Sequence, residues 1–320
     1  MSTVLVTGAS GFVGSHTIPA LLRAGHGVVA FVRTPAAGET VLSGLPPADR
    51  DRIAIRVGDV VAPASLREAM AGVDAVVHLV ALPRDRHQGA DLRLVNTEGT
   101  RAVVVAMQAS GIRRLLHMSA LLNVSLPSPS AYATSKLLAE AIVRSSGLDW
   151  TILQPSTQFG ESDGFFNLIA STVRLSPFVT PMPGDGRTRF QPIHADDVAR
   201  VALLCLEDPT TVGSTFALGG PRAWTYRELV GEVVSALGAR RAIVPVPVPL
   251  IRVVAGTAER LGLPFPASTD QLRLLGIDNT CPPELVPERF GFTPRPLEGA
   301  LGYLRYGPAE QRAAMAVGHA

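Results

Sequence analysis

Lysine is almost missing from this chain of 320 residues: of its 29 basic residues, only Lys136 is not arginine. Where a surface cation will do, the chain uses Arg, so the single ammonium marks a position that a broad guanidinium fork does not suit. Cysteine is scarce as well. Cys205 and Cys281 have no C-x-x-C spacing and read as ordinary thiols of a reducing compartment. The seven histidines form neither H-x-H nor H-E-x-x-H, so no metal site is expected. No apolar run reaches the ~18 residues of a membrane span. The nearest, residues 242–255, is broken by Pro245, Pro247, Pro249 and Arg252. Net charge is only +2 with the basic residues scattered, which argues against nucleic acid as a partner. The N-terminus enters an apolar strand without a basic leader, and a cytoplasmic protein is the expectation.

What the chain does have is alternation. Residues 4–7, 28–32, 53–57, 75–79, 115–118 and 151–154 read as strands apolar enough to be buried on both faces. Residues 11–24, 64–71, 90–110 and 131–146 between them read as helices. Such alternation predicts an α/β fold, a Rossmann-type doubly wound parallel sheet, because parallel strands need crossover connections. After Pro155, Gly and Pro become frequent and the alternation stops. The expected organisation is a dinucleotide-binding domain of residues 1–155 plus about 190–218. Residues 156–189 and 219–306 form a smaller, mainly helical substrate lobe, and 307–320 a frayed tail.

Two motifs carry chemistry. Gly8, Gly11 and Gly14, with Ser10, Phe12 and Val13 among them, join the first strand to the first helix. That spacing permits a tight turn, close approach to a pyrophosphate and close helix–sheet packing, with the helix N-terminus facing the phosphates. At the end of the second strand stands Arg33, where an NAD site usually has an acid; an arginine there suits a 2′-phosphate, so NADP(H) is expected, with NAD(H) as the alternative. The second motif is Tyr132 four residues before Lys136. On a helix the two share a face, and a nearby ammonium would stabilise tyrosinate and lower the phenol's pKa.

Together these motifs resemble the short-chain dehydrogenase/reductase superfamily in its extended and atypical branches. In particular, Phe190-Gln-Pro-Ile-His-Ala-Asp-Asp-Val198 and Asp278-Asn279…Phe290-Gly-Phe-Thr-Pro294 are similar to bacterial relatives of the nucleotide-binding accessory subunit of respiratory complex I. The resemblance implies that Asp59 and Val60 contact the adenine, that Leu79, Val80 and Ala81 lie over the central cofactor, and that Asn96 braces the sheet. Met118 would end the strand carrying Ser119, and Pro155 would stand beside the nicotinamide. It implies too that Tyr132 exchanges a proton with substrate oxygen and that Lys136 binds the nicotinamide ribose. The pattern departs at Leu121, where extended members commonly carry the catalytic hydroxyl; Ser119, Ser128 or Ser130 would have to substitute, or Tyr132 work without a hydroxyl partner.

From Ser119 to Tyr132 there is no Asp, Glu, Lys or Arg, which disfavours the elimination chemistry of sugar-nucleotide dehydratases and suits a lipophilic substrate or a partner surface. Leu121, Gln158, Phe159, Phe165, His194 and Trp224 are candidates to line the substrate pocket, although aromatics more often fill cores. His194-Ala-Asp-Asp-Val198 reads as a helix start, Arg187 and Arg189 as loop cations open to an anionic substrate, and 244–250 as an edge strand or loop serving as lid or association surface. The leading expectation is an NADP(H)-dependent oxidoreductase acting on a small-molecule carbonyl/alcohol pair. The alternatives are an epimerase or isomerase holding its cofactor tightly, and a non-catalytic nucleotide-binding accessory or assembly protein. Association into a homodimer is left open.

Overall fold

Val4, Leu5 and Val6 offer no polar side to water, and all three are completely buried in the middle of a parallel sheet. The computed structural model describes residues 1–84, 89–122, 130–176, 178–260, 275–307 and 311, leaving aside the side chains of 254, 255 and 258–260. The first half runs β1 (Thr3–Thr7), α1 (Phe12–Arg23), β2 (Gly27–Val32), α2 (Pro35–Ser43), β3 (Ile53–Val57), α3 (Pro63–Ala69), β4 (Ala75–His78), α4 (Ala90–Leu92), α5 (Gly99–Ala109), β5 (Arg114–Met118), α6 (Ala131–Arg144) and β6 (Asp149–Pro155). The second half runs β7 (Gln158–Phe159), α7 (Phe165–Leu175), β8 (Val179–Pro183), β9 (Arg189–Phe190), β10 (Ile193–His194), α8 (Ala195–Glu207), β11 (Ser214–Leu218), β12 (Trp224–Thr225), α9 (Tyr226–Ala236), β13 (Ala242–Val246) and α10 (Val248–Arg260).

Seven strands form the main sheet in the order β11-β6-β5-β4-β1-β2-β3, every pair parallel. β2 and β4 flank β1 on opposite sides, so the chain turns away in both directions there and opens a crevice at the C-terminal strand ends. On one face α1 and α8 pack together through Ile18, Leu21, Leu22, Val198 and Val201; on the other, Leu66, Val103 and Met107 cover Leu5, Val76 and Leu115. The Rossmann-type doubly wound architecture is what forms, with the 214–218 segment closing one edge as β11.

Four departures have physical causes. β3 alternates in exposure instead of being buried on both faces, because it is an edge strand. A helix not anticipated, α2, stands between β2 and β3; Thr34 caps it by accepting from the Ala37 N–H, and Pro35 fills the first helical position. The long helix expected over 90–110 is interrupted by a π-turn at Arg93–Glu98, which carries Asn96. Finally, the C-terminal part, mainly helical as expected, also carries short strands. Alongside α7, α9 and α10 it holds three two-stranded ladders, β10–β7, β12–β9 and β13–β8, around a separate core of Phe166, Met182, Leu229, Val233 and Leu301. In the expected tail, Gln311 is fully buried, and its side chain accepts from the Ser162 N–H and donates to the carbonyl of Tyr306.

Candidate active site

The turn after β1 is built for backbone to come close. Gly8 has φ of +71°, and a Cβ there would lie 3.0 Å from the Val80 nitrogen and 3.1 Å from the Leu79 carbonyl carbon. At Gly14 a Cβ would lie 2.4 Å from the Ala9 oxygen, so only glycine lets α1 start this close to the strand. α1 has no side-chain cap and no acidic residue in its first turn, leaving the positive end of its dipole unneutralised. Ser10 and Gly11 are exposed, Phe12 and Val13 half-buried, at the mouth of the crevice. Arg33 is exposed at the end of β2. The Asp59 carboxylate, past the end of β3, accepts from the Val61 N–H at 3.1 Å, and Val60 is buried under Gly99. Leu79, Val80 and Ala81 follow β4 and roof the glycine turn.

The end of β5 and the first turns of α6 hold the second cluster. Ser130 caps α6 by accepting from the Ala133 N–H at 3.1 Å, which places Tyr132 and Lys136 one turn apart on the helix. Lys136 is 2% exposed, and its Nζ donates to the Met118 carbonyl at 2.6 Å. Burial pulls its pKa down to about 8, opposed by the charge of Glu140 one further turn along. Glu140 is itself buried between Arg144, at 2.9 Å, and Gln154, at 2.8 Å. The Tyr132 phenol is pushed up to about 12 by burial. Lys136 therefore does not lower the phenol's pKa here, contrary to the expectation from spacing: its ammonium is turned toward the sheet, and desolvation governs Tyr132. Ser119 is buried, and its hydroxyl has no hydrogen-bond partner among the described residues.

A scaffold of polar contacts fixes these groups. Asn96 accepts from the Leu82 N–H at 2.7 Å and donates to the Leu82 carbonyl and, at 2.9 Å, to the Ser135 hydroxyl. It thus ties the loop after β4 to α6, beside Lys136, rather than bracing the sheet itself. Below it His78 joins Thr7 to Thr100 at 2.7 and 3.0 Å, and the ring stacks on His117. Burial, reinforced by Lys136, holds His78 near 3 and His117 well below its usual range, so both rings are neutral.

Ser119 and Tyr132 line one wall of a cavity of about 730 Å³ between the sheet ends and the C-terminal part. Leu121, Pro155 and Gln158 continue that wall, while Phe165, Ile169, Tyr226, Val230 and Ile251 face it. The lining is overwhelmingly apolar, with the Ser119 hydroxyl and the Gln158 and Thr180 side-chain oxygens as buried polar atoms left without a partner among the described residues.

Against this geometry, a family model described as NAD(P)H-binding matches residues 8–209, from the glycine turn through α8. The chain belongs to that NAD(P)H-binding family. It is similar to the mitochondrial NADH dehydrogenase (ubiquinone) 1 alpha subcomplex subunit 9 of Arabidopsis thaliana, 26% identical over 83% of this chain and 66% of that protein. It is also similar to the ceramide reductase of Caulobacter vibrioides, 29% identical over 77% of this chain and 74% of that protein. Among solved structures, the Bordetella bronchiseptica enzyme WbmH in complex with NAD+ superposes with a TM-score of 0.71 at 18% identity, over 95% of this chain and 97% of that one.

As a member of the NAD(P)H-binding family, the chain brings its expected cofactor residues together along one edge of the sheet. Gly8 to Gly14 follow β1, Arg33 ends β2, Asp59 and Val60 follow β3, residues 79–81 follow β4, and Met118 and Pro155 end β5 and β6. Of the expected pocket residues, Leu121, Gln158 and Phe165 line the cavity. Phe159, His194 and Trp224 do not. Phe159 is wholly buried, edge-on against Phe166 and His194; His194 caps α8 by accepting from the Asp196 N–H; Trp224 lies under the Arg222 guanidinium, 3.7 Å from its ring centre. Of the two loop arginines, Arg189 pairs with Asp278 at 2.8 Å, while Arg187 is largely exposed with Asp185 3.6 Å away. Ser130 is spent on its cap, and Ser128 lies outside the described residues.

Asn279 is among the cavity residues without a role assigned from the sequence. Asn279 donates to the Leu121 carbonyl at 2.6 Å and accepts from the Thr157 N–H at 3.0 Å, clamping the loops after β5 and β6. The signal was the Asp278-Asn279 pair in an otherwise apolar stretch, which carried a resemblance but no chemistry.

Proposed function

We propose that the protein is an NADP(H)-dependent oxidoreductase that reduces a carbonyl, or oxidises the corresponding alcohol, on a lipophilic small molecule. The observation that carries this reading is the pairing of Ser119 and Tyr132 on the wall of a large apolar cavity, with Lys136 buried behind them. The Gly8–Gly14 turn fits a pyrophosphate, because its cradle is one that added Cβ atoms would fill. Arg33, exposed and without an ion pair among the described residues, would take a 2′-phosphate. Bound nicotinamide would supply or receive the hydride.

The chain's own groups do the rest. With its pKa near 12 the Tyr132 phenol holds its proton at neutral pH, ready to give it to a carbonyl oxygen during reduction. The Ser119 hydroxyl, having no partner among the described residues, would donate to the same oxygen. Lys136, protonated below about pH 8, would hold the nicotinamide ribose, the role its family resemblance implies. The apolar walls exclude water and favour a long aliphatic substituent, and the relative named ceramide reductase supports a lipid-like substrate. The test is NADPH consumption by the purified protein against ketones of increasing chain length. Specificity should rise about three- to fourfold per buried methylene until the cavity is full. NADH should be at least about tenfold poorer. Binding of NADPH without consumption at any chain length would contradict the reading.

A second reading has its own support. Leu121 offers no hydroxyl where extended relatives commonly have one, and its backbone is consumed by Pro155 and Asn279. With relatives named as respiratory-complex subunits, this favours a nucleotide holder that performs no turnover. An epimerase holding its cofactor through purification is the third.

A further inference from the structure

The mouth of the cavity is apolar on the outside as well as the inside. Leu175, which lines the cavity, is 78% exposed at the end of α7, and Phe178 just beyond is 82% exposed. Val179 begins β8 and pairs with Ala242 of β13, and the exposed Val244 sits opposite Pro181 on the same ladder. From β13 the chain enters α10, which turns Ile251 into the cavity while Leu250 is 57% and Val253 67% exposed. Gly184, at the end of β8, lies against the Val248 side chain at the start of α10, so the ladder and the helix form one continuous rim. Exposed apolar clusters of this kind mark contact surfaces.

Charge says what the contact is. Residues 164–184 and 233–258, which build this rim, contain no Asp or Glu but four arginines, Arg174, Arg240, Arg241 and Arg252, with Asp185 and Glu259 standing just beyond them. Arg240 and Arg241 precede β13 at the end where Val179 pairs, and Arg252 is exposed on α10 between Leu250 and Val253. An apolar strip in which cations outnumber carboxylates complements the headgroup layer of an anionic bilayer. We infer that this rim seats the protein on an anionic phospholipid surface, with Phe178 and α10 dipping among the headgroups and the cavity mouth facing the lipid. The inference rests on the reading of the cavity as a lipophilic-substrate site: the substrate would pass from the bilayer into the cavity without crossing water. No described helix is long and apolar enough to cross a membrane.

Flotation of the full chain with vesicles tests this. With equal parts phosphatidylglycerol and phosphatidylcholine the protein should float, and with phosphatidylcholine alone it should stay behind; added salt should release it. Phe178→Asp and Val253→Asp, on separate elements, should each reduce partitioning about tenfold or more while leaving NADPH binding and the thermal midpoint unchanged. Arg252→Glu should lower binding to the anionic vesicles by about fivefold or more. The proposal is overturned if the wild type floats with neither vesicle, or if both aspartate variants float like the wild type. It is also overturned if the wild type is a dimer that Phe178→Asp converts to a monomer, since the rim would then be a contact between copies. Flotation needs no turnover, so a chain that floats but reduces no carbonyl loses the proposed reaction alone. A chain that reduces dispersed ketones but never floats loses the membrane contact alone.

Discussion

At the scale of single residues the account turns on three side chains in one corner. Spacing alone was enough to bring Tyr132 and Lys136 to one helix face, because an i, i+4 relation is a property of the helix itself. Their electrostatics were not legible, because a pKa depends on what surrounds the group: burial raises Tyr132 to about 12 and lowers Lys136 to about 8. A pH dependence with two opposite signs follows. Activity that needs the ammonium should fall as pH rises through about 8, seen in kcat/KM, the parameter that reports the free enzyme. Stability should move the other way over that range, because the folded chain binds this proton less tightly than the unfolded chain, so alkaline pH removes a cost of burial. Lys136→Met should abolish both trends. Removing the Ser119 hydroxyl tests the remaining donor: Ser119→Ala should lower kcat about 10²-fold with NADPH affinity unchanged. An unchanged kcat would show that Tyr132 works without it.

Elements were legible where local pattern determines them and obscure where neighbours do. β1, β2, β4 and β5 could be read from continuous apolar runs, since both of their faces are covered. The half-exposed edge strand β3 and the π-turn around Asn96 depend on position in the sheet and on a side-chain network, neither of which periodicity records. The glycine turn was the most readable element, since each glycine answers a steric demand of strand meeting helix. Gly14→Ala should therefore cost about 1–3 kcal/mol of stability, measured by denaturant midpoint, and weaken NADPH binding as the turn shifts. The Asn279 clamp was hidden because it joins segments more than a hundred residues apart. Asn279→Ala leaves the Thr157 N–H and the Leu121 carbonyl without that partner, with an expected loss of about 1–3 kcal/mol. It should raise KM more than it lowers kcat, since it holds the cavity wall rather than the reacting atoms.

Taken as a whole, the molecule sets a nucleotide crevice and an apolar cavity on either side of Ser119 and Tyr132. The crevice at the strand ends could be foreseen from the strand–helix alternation, because every parallel strand ends on the same edge. The cavity could not: its far wall comes from α7, α9 and α10, whose arrangement is fixed by a separate core around Phe166 and Leu229. Phe159, His194 and Trp224 are pocket candidates for which packing or capping is the stronger expectation, and packing or capping is the role each has here. The most direct measurement sets NADPH binding beside turnover in Tyr132→Phe, on a lipophilic ketone that the wild type reduces. The account requires cofactor affinity equal to wild type and turnover lower by about 10²- to 10⁴-fold. Turnover that survives the loss of this one hydroxyl would contradict it.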